Sequence, residues 1–446
     1  MICAIFFCCN NMSCYNYIST CKGSSPYIKT STNQTLCSKY EFILNFQGRT
    51  FNLTFDASKL NSDNYLINEQ AKKYGRNGNH KEAVWTLQTL LNMHIAPEIA
   101  FEFLFPNINK KIDNILKQVD QQPKDSVLHF TPNFINKFHI SQEKVGFVVD
   151  KNQLYLDLFN KFKYSPQVST VLQRKKVLPN VTKQENIENT QLLSTYSTSI
   201  ASSSFDRKSN VKLALKQFNG MIVKPNQEIS FNKTTGRRTQ DKGYKDAHII
   251  LDGLFVDGTG GGVCQSSTTL YNALLTCDNV EILEANRHSM PVSYVPLGFD
   301  AMVAYGSSDL RFKNNGETPI YIHTYSQNDR VYVELYGRKT SDNITKKRRS
   351  EVLKQIASKG DIVKNDTKNE FSDLMDENGY YRQKMSKDGF EVQTYLDYYK
   401  DGKLIDTQKV RHTTYPAQRG IVYKGKPKPK VQENDDAPLH YESMIE

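Results

Sequence analysis

Cys264 follows the glycine run Gly260, Gly261 and Gly262, with Gly258 just upstream, inside the stretch HIILDGLFVDGTGGGVCQSSTTLYNALLTC. Ile249–Val256 is apolar and β-prone, which predicts a strand leading into the glycines. After them, Leu270, Ala273, Leu274 and Cys277 recur at helical spacing, and Ser266 or Ser267 is placed to cap that helix. The order strand, glycine loop, cysteine, helix has a chemical consequence. A helix start presents unpaired N–H groups and the positive end of its dipole. Both favour a thiolate, the nucleophilic form of the side chain. The same helix start, from Gly261 and Gly262 through Gln265 and Ser266, can stabilise the oxyanion formed when a thiolate attacks a carbonyl. The glycines leave space for an extended substrate. Cys277, on the apolar helix face, reads as a small core residue. The run lacks the Lys-Ser/Thr ending of a phosphate-binding loop and the spacing of a dinucleotide fingerprint.

A thiolate mechanism needs a group that takes a proton and returns it, and histidine suits that. His288, in EANRHSMPVSYVP, follows the apolar run Val280–Leu283 and precedes Pro291, so it belongs at a strand end or in a loop. His248, at the start of the strand toward the cysteine, is the second candidate. His323 alternates within PIYIHTY as an ordinary strand residue. There is no HExxH, paired CxxC or calcium-loop pattern, so neither a catalytic metal nor a cofactor is expected.

The elements that must hold these groups need several domains, because 446 residues exceed one small core. A formal charge of +11 draws the chain toward anionic partners, but its basic residues are dispersed. The run Lys346-Lys347-Arg348-Arg349 is short and no nucleic-acid motif accompanies it, so nucleic acid is not an expected partner. Six cysteines crowd residues 1–37 (Cys3, Cys8, Cys9, Cys14, Cys21 and Cys37), unlike a disulfide framework spaced through the fold it staples. Ile2–Cys9 is apolar but lacks a basic flank and is too short to span a bilayer. Residues 1–37 are therefore expected to be an irregular or truncated leader, with any membrane anchor outside this chain.

From residue 38 an α+β region is expected. Tyr40, Phe42, Leu44 and Phe46 alternate, Gln47-Gly48 turns, and Phe51, Leu53 and Phe55 resume. Helical patterns follow at Ile67–Tyr74 and Lys81–Leu91. Short strands at Val127–Phe130 and Lys137–Ile140, then VGFVVD, precede a helix bearing Leu154, Leu158 and Phe159. Ser165–Glu188, polar and holding Pro166 and Pro179, reads as a linker. A mixed α/β region over 189–340 carries the chemistry, with a boundary at the Lys-rich Thr345–Ser350. A small all-β region over 350–425 follows, containing a hairpin of Glu391–Tyr399, Asp401-Gly402 and Lys403–Arg411. Residues 426–446 read as a disordered tail. The fold class is multidomain α+β.

GGGVCQSSTTLYNALL and RHSMPVSYVPLGFDAMVAYGSSDLRFKNNGETPIYI resemble the VanW domain, as do STYSTSIASSS and NGMIVKPNQEISFNKTTGRRTQDKGYKDA upstream, together covering about Leu192–Gly337. FDASKL, YGRNGN and VGFVVDKNQL, within Lys39–Pro179, are similar to the peptidoglycan-binding modules that precede VanW domains. GFEVQTYLDYYKDGKLIDTQKVRHTTYPAQRGIVYKG resembles the small all-β wall modules named for their glycines, the G-five type. Family members usually begin with a membrane anchor, and an extracytoplasmic, wall-associated location is the expectation. The resemblance implies a peptidoglycan L,D-transpeptidase acting on stem peptides and glycan and forming 3–3 cross-links, with Cys264 as nucleophile and His288 as the motif histidine. Arg238, Asp300, Tyr305 and Asp309 also fall on motif positions. Arg238 could clamp a substrate carboxylate and Asp300 could orient the imidazole. A wall endopeptidase or amidase using the same pair, and a non-catalytic peptidoglycan-binding scaffold, are the alternative readings.

Overall fold

The computed structural model describes residues 39–57, 80–251, 254–340 and 344–427, with backbone only for residues 82, 248–251 and 254–257. The leader at 1–37, the helical pattern at Ile67–Tyr74 and the tail from 428 lie outside the described residues. The described chain divides into two compact units. One holds the described residues up to Gln122 together with Gly146–Val177, and the other holds Pro123–Val145 together with the chain from Leu178. No helix among the described residues is long and apolar enough to cross a membrane.

In the first unit, β1 (Lys39–Phe46) and β2 (Arg49–Asp56) pair in full antiparallel register. Gln47 and Gly48 both adopt positive φ, 49° and 78°, as a two-residue hairpin turn requires. Alternation sends Tyr40, Phe42 and Leu44 inward, where they are fully buried. Helices α1 (His80–Asn92), α2 (Pro97–Leu104) and α3 (Ile108–Val119) follow. The chain then leaves this unit for the hairpin of β3 (Leu128–Phe130) and β4 (Phe138–Ile140), and returns as β5 (Gly146–Val149). Asp150 caps α4 (Lys151–Phe162) by accepting from the Gln153 amide. Phe42 meets Phe55, Phe101 and Phe105 edge-on, at ring centroid distances of 6.0, 6.1 and 5.0 Å.

The expected linker at Ser165–Glu188 is instead folded. It forms β6 (Gln167–Val171), parallel to β1, then β7 (Arg174–Val177), paired with β5, and α5 (Lys183–Glu188) with a Thr182/Glu185 capping box. Val168, Thr170 and Leu172 are buried, so one inward face of a strand was hidden by the segment's overall polarity.

The second unit is built around one helix. β8 (Gln191–Ser199) and α6 (Phe205–Lys216) precede β9 (Met221–Val223), β10 (Glu228–Ser230) and α7 (Phe231–Thr235). The predicted strand Ile249–Val256 proves to be a hairpin of β11 (Asp246–Leu251) and β12 (Leu254–Thr259). Between the paired Leu251 and Leu254 the sequence reads Asp252-Gly253, a turn dipeptide. Helix α8 (Val263–Leu275) follows, then β13 (Val280–Ala285), β14 (Leu310–Asn314), β15 (Ile320–Gln327) and β16 (Arg330–Gly337). Strands β8, β16, β15 and β9 make a four-stranded antiparallel sheet, and β10, β14 and β13 make a second. Every α8 residue except Cys264 is buried, so the helix is enclosed all round rather than amphipathic.

The expected boundary at Thr345–Ser350 lies inside a continuous strand, β17 (Ile344–Ile356). Its basic residues sit over aromatic rings, Lys347 above Tyr399 at 4.6 Å, Arg348 above Tyr196 at 4.3 Å and Arg349 above Tyr395 at 4.1 Å. The short strands β18 (Asp361–Asn365) and β19 (Tyr380–Lys384) follow. β17 pairs with β20 (Gly389–Lys400), which pairs with β21 (Lys403–Tyr415). β22 (Gly420–Lys424) joins β18 and β19.

Phe105→Ala should destabilise the first unit by about 3–5 kcal/mol, because its ring fills the aromatic core. Denaturant titration of the full chain checks this. A loss below about 1 kcal/mol would show that the aromatic cluster does not hold the unit together.

Candidate active site

Helix α8 begins at Val263, one residue before Cys264, with Gly262 as its N-cap at φ 101°. Gly260 stands at φ 87°. A methyl group on Gly262 would meet the Arg207 Cγ at 2.8 Å, and one on Gly260 would meet the Arg238 Cβ at 2.7 Å. The two glycines are therefore required both by left-handed backbone and by the arginine stems packed against the helix start. The helix starts earlier than the serines suggested. Ser266 and Ser267 lie inside it, their hydroxyls donating to the Val211 carbonyl at 2.9 Å and the Ala301 carbonyl at 2.6 Å. Cys264 thus occupies the first turn itself, where the dipole acts most strongly.

His288 lies in the loop after β13 and is buried. Its backbone N and its ring Nδ1 both meet one oxygen of Asp300, Oδ2, at 2.6 and 2.7 Å. With Nδ1 taken, the other ring nitrogen is the one left for Cys264, whose thiol and the imidazole shift each other's titration. The thiol, when protonated, has a second partner in the Val303 carbonyl at 3.4 Å. The second Asp300 oxygen accepts from the Tyr415 hydroxyl and from Arg411 at 3.3 Å.

Burial pushes the Cys264 thiol up, but the hydrogen bond and charge of His288, with the charge of Arg238, bring it below its ordinary value. Burial pulls the His288 imidazole down, yet the Asp300 hydrogen bond and the bond and charge of Cys264 carry it up to about 9. Burial raises Asp300, and the bonds from His288 and Tyr415 more than reverse this. The three shifts point the same way: each favours the charged form of its group, thiolate, imidazolium and carboxylate in sequence.

Gln265 is not free to meet a substrate. Its amide donates to the Ser199 carbonyl at 2.7 Å and its oxygen accepts from Arg207 at 2.8 Å. The Gly261 amide donates to Gly258 O at 3.3 Å, and the Gly261 carbonyl accepts from Asn210 at 3.0 Å. Asp309 accepts from the Ser230 hydroxyl and from the Asn232 and Leu310 amides, both at 2.9 Å. Its reach to the site is indirect, since Asn232 in turn accepts from Arg238 at 2.6 Å. Tyr305 is half exposed, with Arg237 5.0 Å above its ring. His248 lies in β11, and its side chain is outside the described residues. Sequence reasoning missed Arg207, Tyr294, Arg411 and Tyr415. Arg207 and Tyr294 both feel the charge of Cys264, and the Arg207 guanidinium lies 6.0 Å from the Tyr294 ring. No local pattern marked any of the four.

A family model described as "VanW like protein" matches residues 206–336, and one described as "Putative peptidoglycan binding domain" matches residues 53–169. The uncharacterized protein YoaR of Bacillus subtilis (strain 168) is 32% identical over 234 residues, covering 51% of this chain and 75% of that protein. The vancomycin B-type resistance protein VanW of Enterococcus faecalis (strain ATCC 700802 / V583) is 27% identical over 135 residues, 29% of this chain and 49% of that protein. Among solved structures, HP0197-G5 aligns with 19% of the chain and the whole of its own (24% identity, TM-score 0.11). The IgA1 protease G5 domain aligns with 20% of the chain and the whole of its own (15% identity, TM-score 0.13). TM-scores this low carry no argument about fold.

The raised His288 contributes stability that is complete below its ordinary value of 6.5 and lost as pH rises through about 9. The lowered Cys264 contributes stability that is present above the ordinary thiol range and lost as pH falls through its depressed value. The two slopes have opposite sign, so they offset each other wherever both groups titrate. The ring protons of His288, followed by NMR, should titrate near 9 in the wild type and lower in C264A, which lacks the sulfur's hydrogen bond and charge. Equal midpoints in the two proteins would contradict the pairing.

Proposed function

Because the chain belongs to the VanW family, we propose that Cys264, His288 and Asp300 form the active site of a peptidoglycan L,D-transpeptidase. A VanW domain preceded by a peptidoglycan-binding domain gives the chain a role at the cell wall, outside the cytoplasm. The observation that carries the enzymatic reading is His288, buried and bonded through Nδ1 to the buried Asp300 carboxylate, and electrostatically linked to the helix-start cysteine. A purely structural cysteine needs no such partner.

The Cys264 thiolate attacks the L-centre carbonyl of the third stem residue, forming a carbon–sulfur bond and an oxyanion. The Val263 and Gln265 amides are bonded to the Gly260 and Gly262 carbonyls at 3.2 and 2.9 Å, so the Cys264 amide is the donor we assign to the oxyanion. His288, as imidazolium, gives its proton to the departing amine of D-alanine, and the carbon–nitrogen bond breaks. An amine from a neighbouring stem then gives a proton to His288 and attacks the thioester. The thiolate leaves, the imidazolium is restored, and a 3–3 cross-link has formed. Asp300 keeps the ring in one tautomer and supports its charge through both steps. Arg207 and Arg238 lie beside the helix start, and among the described residues neither forms an ion pair with a carboxylate. They are suited to hold the carboxylates of the stem peptide.

Purified tetrapeptide muropeptides test the proposal. Wild-type protein should release D-alanine and yield 3–3 dimers, whereas C264A should yield neither and H288A should lose roughly 10²–10⁴-fold in rate. Cleaved stems without dimers would make the protein an endopeptidase or amidase. Absence of dimers, released D-alanine and cleaved stems alike would leave a peptidoglycan-binding scaffold.

A further inference from the structure

The carboxylate that supports His288 is itself held from more than a hundred residues away. Tyr415, fully buried at the end of β21, donates its hydroxyl to Asp300 Oδ1 and accepts from the Gly298 amide at 3.0 Å. Arg411, also in β21, donates to the carbonyls of Gly298 at 2.5 Å, Asp300 at 2.7 Å and Ala285 at 3.2 Å, besides its contact with Asp300 Oδ1. One guanidinium therefore ties the end of β13, just before His288, to the loop carrying Asp300. Gly298 lets the second loop sit close, since a methyl group there would meet the Thr394 Cγ2 of β20 at 2.5 Å. Ser350 of β17 completes the seat by donating to the Leu297 carbonyl at 2.7 Å.

We propose that Tyr415 and Arg411 are positioning residues of the cysteine centre, which makes the C-terminal β-sheet a working part of the active site rather than a separate wall-binding attachment. One oxygen of Asp300 is fixed by β21, and this leaves the other aimed at His288. Packing alone would be served by an apolar contact at this interface. Here the contacts are two donors converging on one buried carboxylate oxygen, the arrangement that fixes the orientation of an anion. Burial and the Asp300 charge keep the Tyr415 phenol far above its ordinary range, so it remains a donor. The other charged or titratable groups facing this centre are Cys264 and Arg238, Tyr294, Arg207, and Tyr271, with Arg287 6.0 Å from the Tyr415 ring.

The proposal rests on the activated cysteine of the proposed function, so its test reads the thiol and not the cross-link. Iodoacetamide labelling of Cys264 in the full chain is followed against pH for the wild type, Y415F, R411K and H412A. Losing the hydroxyl or the arginine fork frees Asp300 to turn, weakens its support of the imidazolium, and so weakens the imidazolium's support of the thiolate. The labelling midpoint should rise by about one pH unit in Y415F and in R411K. It should stay in place in H412A, whose side chain is half exposed on the same strand and bonded to Glu391. Two variants guard against one failing to fold, which thermal melting reports. Midpoints in Y415F and R411K that match the wild type, or fall below it, overturn the proposal. The wild-type midpoint separately reports on the activated thiol, so the two readings fail in different curves.

Discussion

The bond between His288 Nδ1 and Asp300 Oδ2, 2.7 Å long and almost wholly buried, is the contact on which the rest of the site depends. A lone carboxylate in this position would be strongly disfavoured, as would a lone imidazolium or thiolate. The chain sets in one row groups whose charged forms alternate in sign: Cys264, His288, Asp300 and Arg411. Removing one member leaves its neighbours uncompensated in a low-dielectric interior, which is why such groups act as a unit.

Precision in that row comes from a helix that does not face water. Helix α8 is enclosed on every side, and its polar residues bond inward instead of outward. Thr269 meets Thr198 at 2.8 Å, Ser267 meets the Ala301 carbonyl, and Asn272 donates to the Phe299 carbonyl at 2.8 Å. Ser267 and Asn272 reach into the segment containing Asp300, so the cysteine helix and the carboxylate loop share one buried hydrogen-bond network. Buried polar networks that are well bonded specify a single arrangement more sharply than apolar packing does. The β21 contacts extend the same logic into the C-terminal sheet.

What could be read from the sequence were features with local causes. The Gln47-Gly48 turn, the hairpin about Asp401-Gly402, and the glycine loop before Cys264 each follow from backbone conformations that few residues adopt. The loop position of His288 could be read because a strand end and a following proline confine it there. Features with distant causes were not legible. Ser266 and Ser267 looked like caps, because nothing nearby shows that Val211 and Ala301 would bury them. Gln265 fell at the helix start suited to an oxyanion and Asp309 on a motif position, although their side chains brace Arg207 and Asn232. The polar run Ser165–Glu188 concealed two strands whose partners lie far upstream. Tyr415 had no sequence signal at all, since its meaning depends on a contact across 115 positions.

The central claim is that Cys264 is a thiolate near neutral pH because His288, held by Asp300, is charged beside it. Ultraviolet absorbance of the thiolate, taken as wild type minus C264A across a pH series, measures this most directly. The account predicts absorbance already present at neutral pH, declining only under acid conditions, and shifted toward higher pH in D300N. Absorbance that appears only above about pH 8, as for an ordinary thiol, would contradict it.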